Sequence, residues 1–213
     1  MRSRRFSPRW RDDGLRRRWQ AGPEDPVLLH VGRLGAEKNV ELALQTAERL
    51  RAIRPNLRMV VVGCGPQRAR LQAAYPHVLF VGMQRDNELA RHYASADLFL
   101  FPSLTDTFGN VTLEAMASGL GVVAFDTAAA AVHLRHGENG WLATRQRGSD
   151  DGEPFFDAAR QALAQWQPDS AVRRKAVEAA GRLDWDSVLR GFEQRLRELA
   201  GRPPASAAQA ALA

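Results

Sequence analysis

The stretch Val27-Leu28-Leu29-His30-Val31-Gly32-Arg33-Leu34-Gly35-Ala36-Glu37-Lys38-Asn39 passes from a short apolar run through a glycine-containing turn straight into helical spacing. Val27 to Val31 predicts a strand released by the turn at Gly22-Pro23-Glu24-Asp25-Pro26. Asn39 to Ile53 predicts a helix with Asn39 as its N-cap and Val40, Leu44, Ala47 and Leu50 or Arg51 on one face. Working outward, further apolar runs recur at Met59 to Val62, Val78 to Val81, Leu98 to Phe101 and Val122 to Phe125. None of them alternates, which is the pattern of strands covered on both faces. Helical stretches lie between them at Gln67 to Tyr75, Asn87 to Ala94 and Asn110 to Ser118. Strand and helix therefore take turns, and the fold class is α/β, a Rossmann-like doubly wound parallel sheet. Beyond Gly140-Trp141-Leu142 the strands stop, and Phe155 to Trp166, Ala171 to Ala180 and Trp185 to Leu199 predict C-terminal helices. The expected division is a basic arm or linker over 1–22, the α/β domain over 23–200 and a disordered tail over 201–213.

A chain of 213 residues that is 45% hydrophobic and 25% charged can bury one full-sized core. No apolar stretch approaches the roughly 18 residues needed to span a bilayer, and the N-terminus lacks the apolar region of a signal peptide, so a cytoplasmic location is expected. The single Cys64 allows no internal disulfide and agrees with a reducing compartment. The pI near 10.5 raises the question of nucleic acid. Residues 1 to 18, however, hold eight arginines against Asp12 and Asp13, a surplus of six that equals the net charge of the whole chain. The body is thus balanced and nucleic-acid binding is not expected. The arm is expected to be a solvated segment, with peripheral contact to acidic lipid headgroups as the alternative. Trp10 and Trp19 suit either an interface or packing on the domain.

In an open α/β sheet, ligands sit beyond the carboxyl ends of the strands. Arg33 and Lys38, placed there by the first strand and turn, resemble a phosphate clamp, a planar fork beside a movable point charge. The alternative is a surface loop with Lys38 paired to Glu37 or Glu41. The P-loop ending is missing. Gly63-Cys64-Gly65-Pro66-Gln67-Arg68 imitates a dinucleotide fingerprint, but Arg68 replaces the third glycine and no acidic residue closes the next strand, so these glycines are expected simply to turn the chain. His133 and His136 lack a third ligand nearby, and no metal site is expected.

Between Thr107 and Phe125 the only charge is Glu114, set in a run of Val, Leu, Ala and Met. A carboxylate buried there costs several kcal/mol unless paired. Its partner is either an internal arginine or a ligand. Phe108-Gly109-Asn110 begins the helix with free N–H groups suited to an anion, and Asp106 lies just before it.

Six motifs in order, Gly-Arg-Leu to Glu-Lys-Asn at 32–39, Val-Gly-Cys-Gly-Pro at 62–66, Phe80-Val81-Gly82, Ala96 to Ser103, Asp106 to Glu114 and Gly137 to Leu142, resemble the C-terminal, donor-binding half of a retaining GT-B glycosyltransferase of the group 1, family 4 type. The resemblance implies a hexosyltransferase donor domain for a UDP- or GDP-sugar that works without a metal or other cofactor. It implies Arg33, Lys38 and Asp106 as catalytic, with Arg33 and Lys38 on the diphosphate and Asp106 near the donor sugar. Gly32, Gly82, Met83, Phe108, Gly109, Asn110, Val111 and Glu114 complete the donor site, Gly82 and Met83 by the base and Glu114 on the ribose hydroxyls. Asp106 stands where the family most often has Glu. Gly121 replaces a usual Pro, which is expected to loosen a turn. The resemblance also implies an N-terminal acceptor domain as partner, in cis or from another chain, because this sequence starts where that domain's linker should end. A non-catalytic nucleotide-sugar binding module, a truncated gene product, is the alternative function.

Overall fold

The computed structural model describes residues 5–105, 109–145, 151–165, 167, 170–182, 193, 195, 197 and 198. Six parallel strands, β1 (Val27–Val31), β2 (Arg58–Val62), β3 (Leu79–Gly82), β4 (Leu98–Phe101), β5 (Gly121–Phe125) and β6 (Trp141–Ala143), form one sheet in the order β3-β2-β1-β4-β5-β6. The order reverses between β1 and β4, so the crevice of a doubly wound sheet opens above that pair. Helices α1 (Asp13–Arg18), α2 (Val40–Ile53), α3 (Arg68–Ala74), α4 (Asp86–Ser95), α5 (Asn110–Ala117), α6 (Ala128–His133), α7 (Gly152–Gln165) and α8 (Ala171–Gly181) surround the strands. None of the helices among the described residues is long and apolar enough to cross a membrane.

The central strands are buried at every position of β1, β4 and β5, because successive side chains feed two cores. Leu29, Phe99 and Val122 face α4, α5 and α8, while Leu28, Leu98 and Val123 face α2 and α7. β3, expected to be covered on both faces, is only half buried along its length, since it is an edge strand with one neighbour. On α2 the ambiguous face resolves to Leu50, which is fully buried. Asn39 does sit at the N-cap position, but its side chain makes no capping bond there. It adopts the left-handed conformation (φ +48°) that closes the preceding 3₁₀ turn, a geometry asparagine tolerates. Gly121 is no loosened turn: its N–H donates to the Asp97 carbonyl (3.0 Å) as β5 begins, a bond that proline lacks.

The largest departure concerns the leading residues, expected as a solvated arm. Their described part, residues 5–22, packs on the domain. Asp12 caps α1 through the Leu15 N–H (3.0 Å), and Phe6, Leu15 and Trp19 are buried in the core beside α4. Arg16, 1% exposed, donates to Asp97 (3.0 Å) and to the carbonyls of Ser95 (2.8 Å), Gly22 (2.9 Å) and Asp25 (2.6 Å). The expected tail over 201–213 and most of the expected helix Trp185 to Leu199 lie outside the described residues.

Candidate functional site

At the carboxyl edge of the sheet, the chain after β3, β2, β1 and β4 is joined neighbour to neighbour by backbone bonds. Leu34 N–H donates to the Cys64 carbonyl (3.0 Å), Gly63 N–H to the Gly82 carbonyl (2.8 Å) and Leu104 N–H to the Glu37 carbonyl (3.2 Å). These contacts need one backbone to approach another, and Gly63 shows why. Its φ is +144°, and a Cβ there would stand 1.9 Å from the Gly32 carbonyl oxygen. The glycines of the false dinucleotide fingerprint thus do more than turn the chain; they lock the loop after β2 against the loop after β1.

The locked loops enclose a cleft of about 550 Å³ lined by Val31, Gly32, Arg33, Val62 and Gly63 to Pro66, with Met83, Gln84 and Leu89 opposite. Its size and mostly apolar lining with a few polar groups suit a small-molecule site. Gly32, Arg33 and Met83 come together here as expected, and Gly82 stands immediately behind through its bond to Gly63. Arg33 is exposed and touches only Glu37 among the described acids (3.3 Å), a surface pair of small worth that an incoming phosphate can replace.

Lys38 is paired with neither Glu37 nor Glu41, the surface-loop alternative. Glu41 instead binds Arg70 (2.8 Å). The half-buried ammonium of Lys38 leans from the β1 side across the switch point to the β4 side, 3.5 Å from Ser103 Oγ and 5.4 Å from the centre of the Phe101 ring. A cation–π contact with Phe101 and a bond to a neutral hydroxyl leave it without a carboxylate partner among the described residues.

On the β4 side, Gly109 (φ +66°) opens α5, and a Cβ there would meet Ala129 at 2.7 Å and His133 at 3.1 Å. Left-handed backbone and crowding both demand glycine. Among the described residues no side chain caps this helix, so nothing described there occupies the first-turn N–H groups of Asn110 and Val111, which suit an anion. Asp106 and Phe108 lie outside the described residues.

Glu114 is half buried rather than fully buried, and among the described residues no arginine pairs with it; the Tyr93 hydroxyl of α4 is its hydrogen-bonding neighbour. Burial pushes its carboxyl up to about 7, and the bond from Tyr93 opposes that rise. Tyr93 lies one helical turn beyond Leu89, which reaches the cleft wall, so α4 connects Glu114 to the cleft.

Three groups escaped the sequence reading. Gly63 to Pro66 belong to the cleft wall, and Gln84 joins them. The third, His30, is fully buried, with Nδ1 3.0 Å from the Leu100 carbonyl, and desolvation pulls it down to about 4, so it stays neutral beneath the clamp. Its signal was present, as the one polar residue in an apolar strand. Among the described residues no three His, Cys, Asp or Glu side chains gather to hold a metal.

Residues 25–165 match the family model of the glycosyl transferases group 1. The chain is 41% identical over 125 residues to the sulfoquinovosyl transferase SQD2 of Arabidopsis thaliana, a match covering 57% of this chain and 24% of that protein. It is 43% identical over 124 residues to a GDP-mannose-dependent alpha-mannosyltransferase of Mycobacterium tuberculosis, covering 57% of this chain and 31% of the relative. The chain therefore spans under a third of the length of either relative. Among solved structures it is similar to Alr3699/HepE of Anabaena in complex with UDP, with a TM-score of 0.72 over 91% of this chain and 56% of that one. Identity in that pair is 20%, and the likeness is one of fold.

Proposed function

This chain belongs to the group 1 glycosyl transferases, and from that premise we propose that its cleft binds the nucleotide part of a UDP- or GDP-sugar, as the donor half of a GT-B glycosyltransferase. The observation that carries this reading is the cleft itself, preformed by backbone bonds between loops, with Arg33 on its wall and Lys38 reaching over the switch point.

In the reaction, the bond between the anomeric carbon and the diphosphate breaks, and charge builds on the departing phosphate oxygen. Arg33 and Lys38 are the groups to receive that charge. Their contacts among the described residues are weak, so the guanidinium fork and the ammonium are free to strengthen their bonds as the negative charge grows, which is how fixed cations lower a barrier. With two cations and an uncapped helix start at the diphosphate, transfer proceeds without a metal. Asp106 acts near the donor sugar, and Glu114 accepts the ribose hydroxyls once ionised. The sugar passes to its acceptor with retention, and an acceptor-binding half, in cis or from another chain, excludes water and supplies proximity.

A thermal-shift panel with UDP, GDP, UDP-glucose, GDP-mannose and NAD tests the reading, since a ligand of the native state alone raises the midpoint. The expected result is a shift with UDP or GDP and none with NAD. A cooperative melt that no nucleotide moves would overturn it. Turnover of a bound sugar nucleotide then separates an enzyme from a non-catalytic binding module.

A further inference from the structure

Gln84 follows β3 and lines the same cleft as Arg33, together with Met83, 57% exposed, and Leu89. Its amide is half committed. Nε2 donates to the Val81 carbonyl at 2.9 Å, and that assignment is forced, since a carbonyl can only accept. Val81 is absent from the cleft lining while Gln84 is part of it, so one end of the amide is held by backbone outside the lining while the side chain belongs to the wall. No donor among the described residues reaches Oε1. The cleft wall thus carries, beside the apolar side chains of Met83 and Leu89, an acceptor that is not free to become a donor. Rotating the amide would exchange the two ends only by leaving the Val81 carbonyl facing an oxygen.

We propose that Gln84 determines base specificity by accepting a hydrogen bond from a lactam N–H, so that the cleft takes uracil or guanine and rejects cytosine and adenine. This rests on the nucleotide-binding reading above and deepens it. Uracil N3 and guanine N1 carry a hydrogen at the centre of their pairing edge. The matching ring nitrogens of cytosine and adenine are bare acceptors. Against the fixed Oε1 they place lone pair against lone pair, and a site built to pair one group rejects the analogue that lacks it. The apolar walls cannot make this distinction, because every base has a π-face.

The test is a set of dissociation constants for UDP, GDP, CDP and ADP with the full chain and with Gln84→Leu. The unaltered chain is expected to bind UDP and GDP about tenfold or more tightly than CDP and ADP, the scale of one hydrogen bond exchanged for a repulsion. In Gln84→Leu that ratio falls to about threefold or less. A ligand-side measurement guards against a displaced loop: 3-methyl-UDP, which lacks the lactam hydrogen, binds the unaltered chain about tenfold more weakly than UDP but binds Gln84→Leu nearly as well as UDP does. Equal binding of all four nucleotides, or a preference that survives in Gln84→Leu, overturns the role of Gln84 and leaves the donor cleft standing. Binding of none of them overturns the donor cleft itself, and with it the base reading.

Discussion

Arg16 and Arg33 are both arginines beside the same central strand, β1, and they end in opposite states. Arg16 lies at the lower edge, 1% exposed, with both terminal nitrogens bonded to Asp97 and to backbone carbonyls. Arg33 stands at the upper edge, exposed, with one loose contact to Glu37. A guanidinium whose two terminal nitrogens are engaged by its own chain holds the fold together. One kept in place with its donors spare has them to offer to something else. Lys38 falls with Arg33 in this division, and the exposed Arg70 belongs with neither.

The sharpest way to break the comparison is Arg16→Ala. Removing the guanidinium leaves Asp97 with only Arg11 and the Val27 N–H and strands the carbonyls of Ser95, Gly22 and Asp25, and the expected loss is about 3 to 5 kcal/mol of unfolding free energy by denaturant titration. A loss under about 1 kcal/mol would mean that the leading residues are not part of the cooperative fold.

Glu114→Gln comes next and works in the opposite direction. The carboxyl titrates near 7 in the fold against an ordinary 4.5, so the native state holds a proton that the unfolded chain has released. Stability therefore falls as pH rises from about 4.5 to about 7 and levels off above that. The glutamine variant lacks this slope and is more stable at pH 8 by at most about 3 kcal/mol, the free energy of a shift of that size. Its ligand behaviour sharpens the division between structure and site: a ribonucleotide should lose more affinity than its 2′-deoxy counterpart, and that of the unaltered chain should improve as pH rises through 7. Equal losses would make Glu114 a purely structural residue.

Lys38→Ala should weaken binding of a nucleoside diphosphate by about 1.5 to 3 kcal/mol, the worth of a charged hydrogen bond, while the melting midpoint holds. Isothermal titration reads the first and calorimetry the second; unchanged affinity would sink the clamp. Smallest of all is Arg70→Ala, which breaks the surface pair with Glu41 and should change stability by less than about 1 kcal/mol. A larger effect would mean that exposed pairs here matter more than their solvent screening allows.

Much of this was legible in the chain. β1 and β4 begin and end where their apolar runs do, and α2 starts one residue after the expected cap. Such elements are coded locally, by apolar period and by glycine or asparagine at their ends. Arg33, Lys38 and the α5 start were legible for the same reason, since loops after parallel strands must gather at one edge. The α6 helix was not, being six residues of mostly alanine without a capping side chain. Glu114 was recognised as anomalous, with an internal arginine or a ligand as its expected partner, but the Tyr93 hydroxyl beside it was not foreseen. That pairing depends on how α4 lies against α5.

The sequence by itself determined the alternation of strand and helix, the family and the positions of Arg33 and Lys38. These depend on spacing along the chain and on residue types that have few other uses there. The tertiary structure alone decided that a stretch carrying the whole net charge is partly core, because Asp97, which neutralises Arg16, is 81 residues away. It alone decided that Gly63 to Pro66 wall a cleft, since the need for glycine there comes from the Gly32 carbonyl of another loop. In both cases the deciding partner is distant in sequence, and no local pattern encodes the energy of a contact made only when the chain has closed upon itself.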